Sequence, residues 1–207
     1  MTAGNAKEPA VLGLLWLVAL AVSAIGPADR LTWFMEVLPV IIALVLMAAT
    51  QRGFPLTPLL YRLAFLHGLA LILGGHYTYA HVPLGFWFQD LFDLARNPYD
   101  RIGHFFQGFV PALLAREVLI RKGFLPRGRM LFFIVTCICL AFSAFYELIE
   151  WWAAVLLGQG AVEFLGTQGD VWDTQWDMFM ALVGAVLAQL VLARVHDREL
   201  SETSSGQ

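Results

Sequence analysis

Charge is scarce in this chain. Only 14% of its 207 residues are Asp, Glu, Lys or Arg, whereas 59% are hydrophobic; a soluble domain carries about a quarter charged residues. That shortage excludes an ordinary soluble domain and points to a polytopic membrane protein. Basic runs are missing and the formal net charge is −3, which argues against nucleic acid as a partner. Cysteine is nearly absent. Cys137 and Cys139 are two residues apart in an apolar run, so on a helix they face different sides; this excludes a disulfide or redox pair between them and leaves them as packing residues. There is no internal repeat, no H-E-x-x-H and no G-x-S-x-G.

What is present is a series of apolar stretches. Six can be marked: Pro9–Ile25, Trp33–Thr50, Pro58–Gly75, Ile102–Ile120, Met130–Leu156 and Thr174–Ala193. Each is near the ~20 residues that a bilayer requires. Gly26-Pro27, Pro55, Pro58, Pro98 and Gly123 to Pro126 punctuate the connections. The first stretch has the outline of a signal peptide, with Lys7 ahead of it. It is kept as a span because removing it leaves five and disturbs the charge pattern.

That pattern sets an expected orientation. Lys7, Arg52, Arg62, Arg116, Arg121, Lys122, Arg127, Arg129, Arg194 and Arg198 fall at one set of span ends; Arg30, Arg96 and Arg101 fall at the other. The bias predicts six spans with both termini cytoplasmic. The segment 157–175, without Lys or Arg, is then external. Between the third and fourth spans, "LGFWFQDLFDLARNP" places Phe88, Leu91, Phe92 and Ala95 on one helical face and Gln89, Asp90, Asp93 and Arg96 elsewhere. It reads as an interfacial amphipathic helix stopped by Asn97-Pro98. The expected fold is an all-α polytopic membrane helix bundle, six transmembrane helices plus that short helix, as one domain over residues 1–200. The polar tail 201–207 is expected to be disordered.

Within this frame, polar groups converge on the outer side. Asp100, His104 and Gln107 follow i, i+4, i+7 spacing on the fourth span, with Arg101 beside them; Glu147 and Glu150 lie one turn apart on the fifth. Asp170, Asp173 and Asp177 share a face of the sixth if its helix starts early. The cytoplasmic ends, rich in Arg and Lys, are expected to hold nothing similar. A lone acid at a span end is ordinarily solvated, a lone histidine packs, and Trp151, Trp152, Trp172 and Trp176 suit an aromatic belt. Glu147 is different, because a charge at depth costs at least about 2.5–3.5 kcal/mol. Six acids on one side cannot all ionise cheaply, so their charge must be solvated, protonated or held by a cation. Asp100, His104, Glu147, Glu150, Asp170, Asp173 and Asp177 are therefore the candidate metal ligands, and His104, Glu147 and Asp177 the candidate catalytic groups. They are expected to form one water-accessible pocket, with Glu150 and Asp170 at its rim and Arg101 turned away, free to hold a lipid phosphate.

The stretches "RNPYDRIGHFFQGFVPALLARE", "YELIEWWAA" and "GTQGDVWDTQWDMFMALVGA" closely resemble the YjdF-like family of bacterial inner-membrane proteins, along nearly the whole chain. The resemblance implies an inner-membrane, multi-span protein and assigns no reaction. A shorter similarity is to VanZ-like membrane proteins. It is carried by Asp100, Arg101 and His104, then Glu147, then Asp177 with Gly184, and it implies an envelope role.

Three functions fit these observations. One is an envelope accessory or assembly protein, its acids a structural network between helices. A second is an enzyme using a divalent metal (Mg²⁺, Mn²⁺ or Zn²⁺) on a lipid-linked or amphiphilic substrate. "DVWDTQWD" shares D-x-x-D-x-x-x-D with part of the CDP-alcohol phosphotransferase pattern, but its Gly and Ala-Arg elements are missing. The third is a small proton- or ion-coupled transporter.

Overall fold

In the computed structural model, residues 7–158 and 165–205 are described. Among them are seven α-helices and no strand: α1 (Lys7–Ser23), α2 (Arg30–Thr50), α3 (Pro58–Tyr77), α4 (Pro83–Leu91), α5 (Tyr99–Arg121), α6 (Arg129–Leu157) and α7 (Asp173–Ser205), with a 3₁₀ turn at Tyr79–His81. Every expected span has its helix. Four of them, α2, α3, α6 and α7, are long and apolar enough to cross a membrane. Helix α1 has 17 residues, and α5 is interrupted by Asp100, Arg101, His104, Arg116, Glu117 and Arg121.

Local chemistry sets the helix ends. Asp29 accepts a hydrogen bond from the Thr32 amide at 2.7 Å, capping α2; that bond holds the Asp29 carboxyl below the usual carboxylate range. Helix α3 opens with Pro58 at its first turn. Asn97 Oδ1 accepts from the Tyr99 amide at the start of α5.

The short helix α4 ends at Leu91, before the expected stop at Asn97-Pro98. Asp93 adopts φ +51°, a left-handed turn that Asp tolerates better than most residues. That turn breaks the amphipathic pattern and carries Arg96 inward instead of leaving it on a solvated face. Helix α7 continues to Ser205, so residues 201–205 of the expected tail lie on it; 206–207 fall outside the described residues.

Contacts between helices give their directions. Glu8 meets Arg62 and Trp16 meets Phe65, so α1 and α3 run together. Thr57 meets Glu117, and a Cβ on Gly103 would touch Tyr79 just past the end of α3, so α5 runs against α3. Asp100 lies by Asp177 and Arg116 by Asp197, so α5 and α7 are parallel. His104 meets Glu147, and Gln189 donates to Thr136 Oγ1, so α6 runs against both.

The α5–α7 crossing is the tightest among the described helices. A Cβ on Gly108 would lie 1.8 Å from the Ala181 oxygen, and one on Gly184 would lie 2.1 Å from the Phe105 oxygen. Only glycine lets the two backbones approach this closely. Below the crossing, Val110, Ala112, Leu113, Leu131, Val135, Cys139, Ala185 and Ala188 form the main apolar core. Cys137 is exposed and Cys139 buried, on different faces as their spacing requires.

Candidate functional site

The crossing separates two polar clusters on α5, roughly 20 Å apart from His104 to Glu117 at 1.5 Å per residue. In the cluster at the C-terminal end, Glu117 is fully buried. Its carboxylate accepts from the Thr57 amide (3.1 Å), the Thr57 hydroxyl (2.8 Å), Arg121 Nη1 (2.7 Å) and His196 Nε2 (3.0 Å). Arg116 Nη1 lies 3.2 Å from His196 Nδ1, and Arg116 Nη2 and Arg127 Nε both donate to Asp197 Oδ1. Arginine only donates, so Nδ1 of His196 accepts and its Nε2–H faces Glu117. This network corrects the expectation that the Arg- and Lys-rich ends hold nothing comparable. The charges there are paired across the bundle, and every carboxylate oxygen of Glu117 is satisfied.

The other cluster is built from the expected residues. Asp100 and His104 come from the first turns of α5, Glu147 and Glu150 from α6, and Asp173 and Asp177 from the first turns of α7; all six are buried. One ligand atom each from Asp100, His104 and Asp177 lies within 4.8 Å of the others, and the same holds for His104, Glu147 and Glu150. His104 Nε2 is 3.6 Å from Asp100 Oδ1, and its Nδ1 is 3.8 Å from Glu147 Oε1. Gln107 Oε1 is 2.8 Å from Nδ1. A carboxamide oxygen only accepts, so Nδ1 carries a proton toward Gln107 and Nε2 is the nitrogen that faces Asp100.

Two expected members are used differently. Asp173 is engaged by Arg96 Nη1. Asp170 sits in the turn before α7, where its Oδ1 accepts from the Trp172 amide and its Oδ2 pairs with Arg101 Nη2 at 2.6 Å. Arg101, expected to turn away, therefore joins the cluster, its guanidinium 5.0 Å over the Trp176 ring. The open pocket also needs correction. Asp177 is only 2% exposed and Glu147 only 7%, and the turn before α7 packs against the start of α5, with Gly166 beside Asp100. Its Gln168 side chain exchanges hydrogen bonds with the Asn97 backbone, its Oε1 taking the amide hydrogen at 3.1 Å and its Nε2 reaching the carbonyl at 3.0 Å. Arg96 Nη1 donates to the Thr167 oxygen at 2.9 Å.

Two groups escaped the sequence reading. Arg96 is the cation in contact with Asp100, Asp170 and Asp173. Glu36, buried on α2, accepts from the Tyr146 hydroxyl at 3.4 Å, and the Tyr146 ring meets His104 edge-on at 6.1 Å. Glu36 is a lone acid inside an apolar run, the signal that singled out Glu147.

Unlike Glu117, this cluster is not self-sufficient. Glu147 Oε1 and Asp177 Oδ1 are buried without a hydrogen-bond partner, as are Arg96 Nε and Nη2 and Arg101 Nε. Buried unpaired polar atoms are costly and rare in native proteins.

A family model described as "Predicted membrane protein (DUF2238)" matches residues 9–198. Among curated proteins, "Inner membrane protein YjdF" of Escherichia coli (strain K12) is 60% identical over 181 residues, 87% of each chain. No solved structure matches.

Proposed function

This chain belongs to the DUF2238 family of predicted membrane proteins, and from that membership and the geometry above we propose that it is an inner-membrane, cation-dependent enzyme acting on an amphiphilic or lipid-linked substrate. It spans the membrane six times with both termini cytoplasmic. A Cβ on Gly75 near the end of α3 would touch Glu36 in the first half of α2, so α2 runs against α3; the alternating directions of α1, α2, α3, α5, α6 and α7 support six crossings, and the Lys/Arg bias supports their orientation. Helix α4, with Leu84, Phe86, Trp87 and Leu91 exposed, lies at the outer interface.

One observation carries the cation. Asp177 and Glu147 hold buried carboxylate oxygens without hydrogen-bond partners in a cluster whose histidine turns Nε2 toward Asp100. An imidazole nitrogen with carboxylates suits Zn²⁺ or Mn²⁺. Asp100, His104 and Asp177 would be the first ligands, with Glu147 and Glu150 behind them. A cation bound there supplies Lewis acidity to a substrate oxygen. Glu147, 3.8 Å from His104, is positioned to accept a proton.

The competing roles have less support. A purely structural network should resemble the one around Glu117, with every oxygen paired. A transport path needs polar groups through the bundle, whereas Val110, Leu113, Ala185 and Ala188 fill the space between the clusters.

The test is metal analysis of protein purified in mild detergent without chelator and dialysed against Zn²⁺ or Mn²⁺. Stoichiometric metal, lost in His104→Ala and Asp177→Asn variants that still migrate as folded protein, is the expected result. Wild-type protein that stays metal-free refutes the cation.

A further inference from the structure

We propose that the ligand of this site carries a phosphate group, bound together with the divalent cation, and that Arg96 and Arg101 hold the phosphate oxygens. This rests on the cation reading above. The unsatisfied atoms of the cluster are of both kinds. Two are acceptors, Glu147 Oε1 and Asp177 Oδ1; three are donors, Arg96 Nε and Nη2 and Arg101 Nε.

A cation alone answers the acceptors and leaves the guanidinium hydrogens stranded. An anion alone answers the donors but must sit beside Asp100, Asp170, Asp173 and Asp177, with only Arg96 and Arg101 to offset them. A cation carrying an oxyanion answers both sets at once.

The two halves adjoin. Both guanidiniums converge on Asp170 Oδ2, Arg101 Nη2 at 2.6 Å and Arg96 Nη1 at 3.7 Å. Arg96 Nη2 lies 3.5 Å from Asp100 Oδ2, while Asp100 Oδ1 lies 3.6 Å from His104 Nε2. Asp100 thus stands between the arginine pair and the cation ligands, so one small group can touch both.

Geometry favours phosphate over carboxylate. Three donors and a cation call on several oxygens; a tetrahedral phosphate offers them in three dimensions, and guanidinium forks match its edges. The surroundings favour a phosphate attached to a membrane amphiphile. Trp87, Phe92, Val171 and Trp172 are exposed around the segments that bear Arg96 and Asp170, an apolar rim suited to the rest of a lipid.

The experiment measures Mn²⁺ affinity of the detergent-purified protein from the free-Mn²⁺ EPR signal, for Mn²⁺ alone, with inorganic phosphate, and with dioctanoyl phosphatidic acid. Dioctanoylglycerol is the phosphate-free control. Phosphatidic acid should raise the affinity at least about tenfold, within the range of ordinary ligand coupling, and dioctanoylglycerol should not. That ratio should fall to near one in Arg101→Gln. Arg96→Lys, which keeps the charge facing Asp173 but removes the unpaired guanidinium hydrogens, makes the same test if Arg101→Gln does not fold. An equal rise with inorganic phosphate supports the phosphate site and assigns it to a free rather than a lipid source. Mn²⁺ binding that neither phosphate compound strengthens overturns the inference and leaves the cation site standing. Absence of Mn²⁺ binding overturns both.

Discussion

His104 Nδ1 and Gln107 Oε1 lie 2.8 Å apart, one turn along α5, and this contact decides which imidazole nitrogen is available to a ligand. Replacing Gln107 with Leu removes the acceptor and lets the ring change tautomer or turn. Outer partners of a metal-binding histidine are worth roughly 10–100-fold in affinity. Gln107→Leu should therefore weaken Zn²⁺ or Mn²⁺ binding by about that factor while the protein stays folded, as read by competition with a chelating dye. Undiminished affinity would detach Gln107 from the site.

The two buried glutamates should respond to the same change by very different amounts. Glu117→Gln breaks contacts to Arg121, His196 and Thr57 in a sealed environment. Removing one partner of a buried ion pair costs about 3–5 kcal/mol. Glu147→Gln replaces a carboxylate oxygen that has no hydrogen bond to lose with an amide group, so its cost should stay below about 1 kcal/mol, the scale of a single hydrogen bond. Denaturation in mixed micelles should rank them in that order, while cation binding should fall in Glu147→Gln.

Gly108→Ala should act on stability and on the site together. The added methyl meets the Ala181 oxygen at 1.8 Å, so α5 and α7 must separate. Overpacking of this kind costs about 1–3 kcal/mol and at times more, and the separation also parts Asp100 and His104 from Asp177. A lower unfolding temperature with lost cation binding is expected. Gly13→Ala is the control, since its methyl would meet only Leu44 Cδ1 at 3.6 Å.

Reporter fusions test the orientation. A reporter inserted after Arg129 in the otherwise full-length chain should be active as a cytoplasmic reporter, and one inserted after Gly166 as an external reporter. The reverse at either point would put the acids and the positive loops on sides incompatible with six crossings.

Much of this was legible in the residues, for identifiable reasons. Apolar runs announce helices, so α1 to α3 and α5 to α7 were all foreseen, and the spacing of Asp100, His104 and Gln107 already put them on one face. Glu36 was equally legible by the rule applied to Glu147 and was overlooked. Arg96 was not legible, because its place depends on a left-handed turn at Asp93 that local pattern does not encode. The Glu117–His196 contact joins residues far apart in sequence. Read along the chain, its members look like ordinary charges at two span ends, and only the parallel packing of α5 and α7 brings them together.

That packing bears on how the protein is made. Helix α5 is not among the helices apolar enough to cross by composition, and a partner that buries Asp100, Arg116 and Glu117 is α7, which leaves the ribosome after it. The whole of α6 is synthesised in between. On the six-span reading, the nascent chain offers the insertion machinery a segment that its own apolarity does not hold in the bilayer, and residency waits for α7 to dock. A stop codon just before Asp173 would therefore leave a chain short of two crossings rather than one.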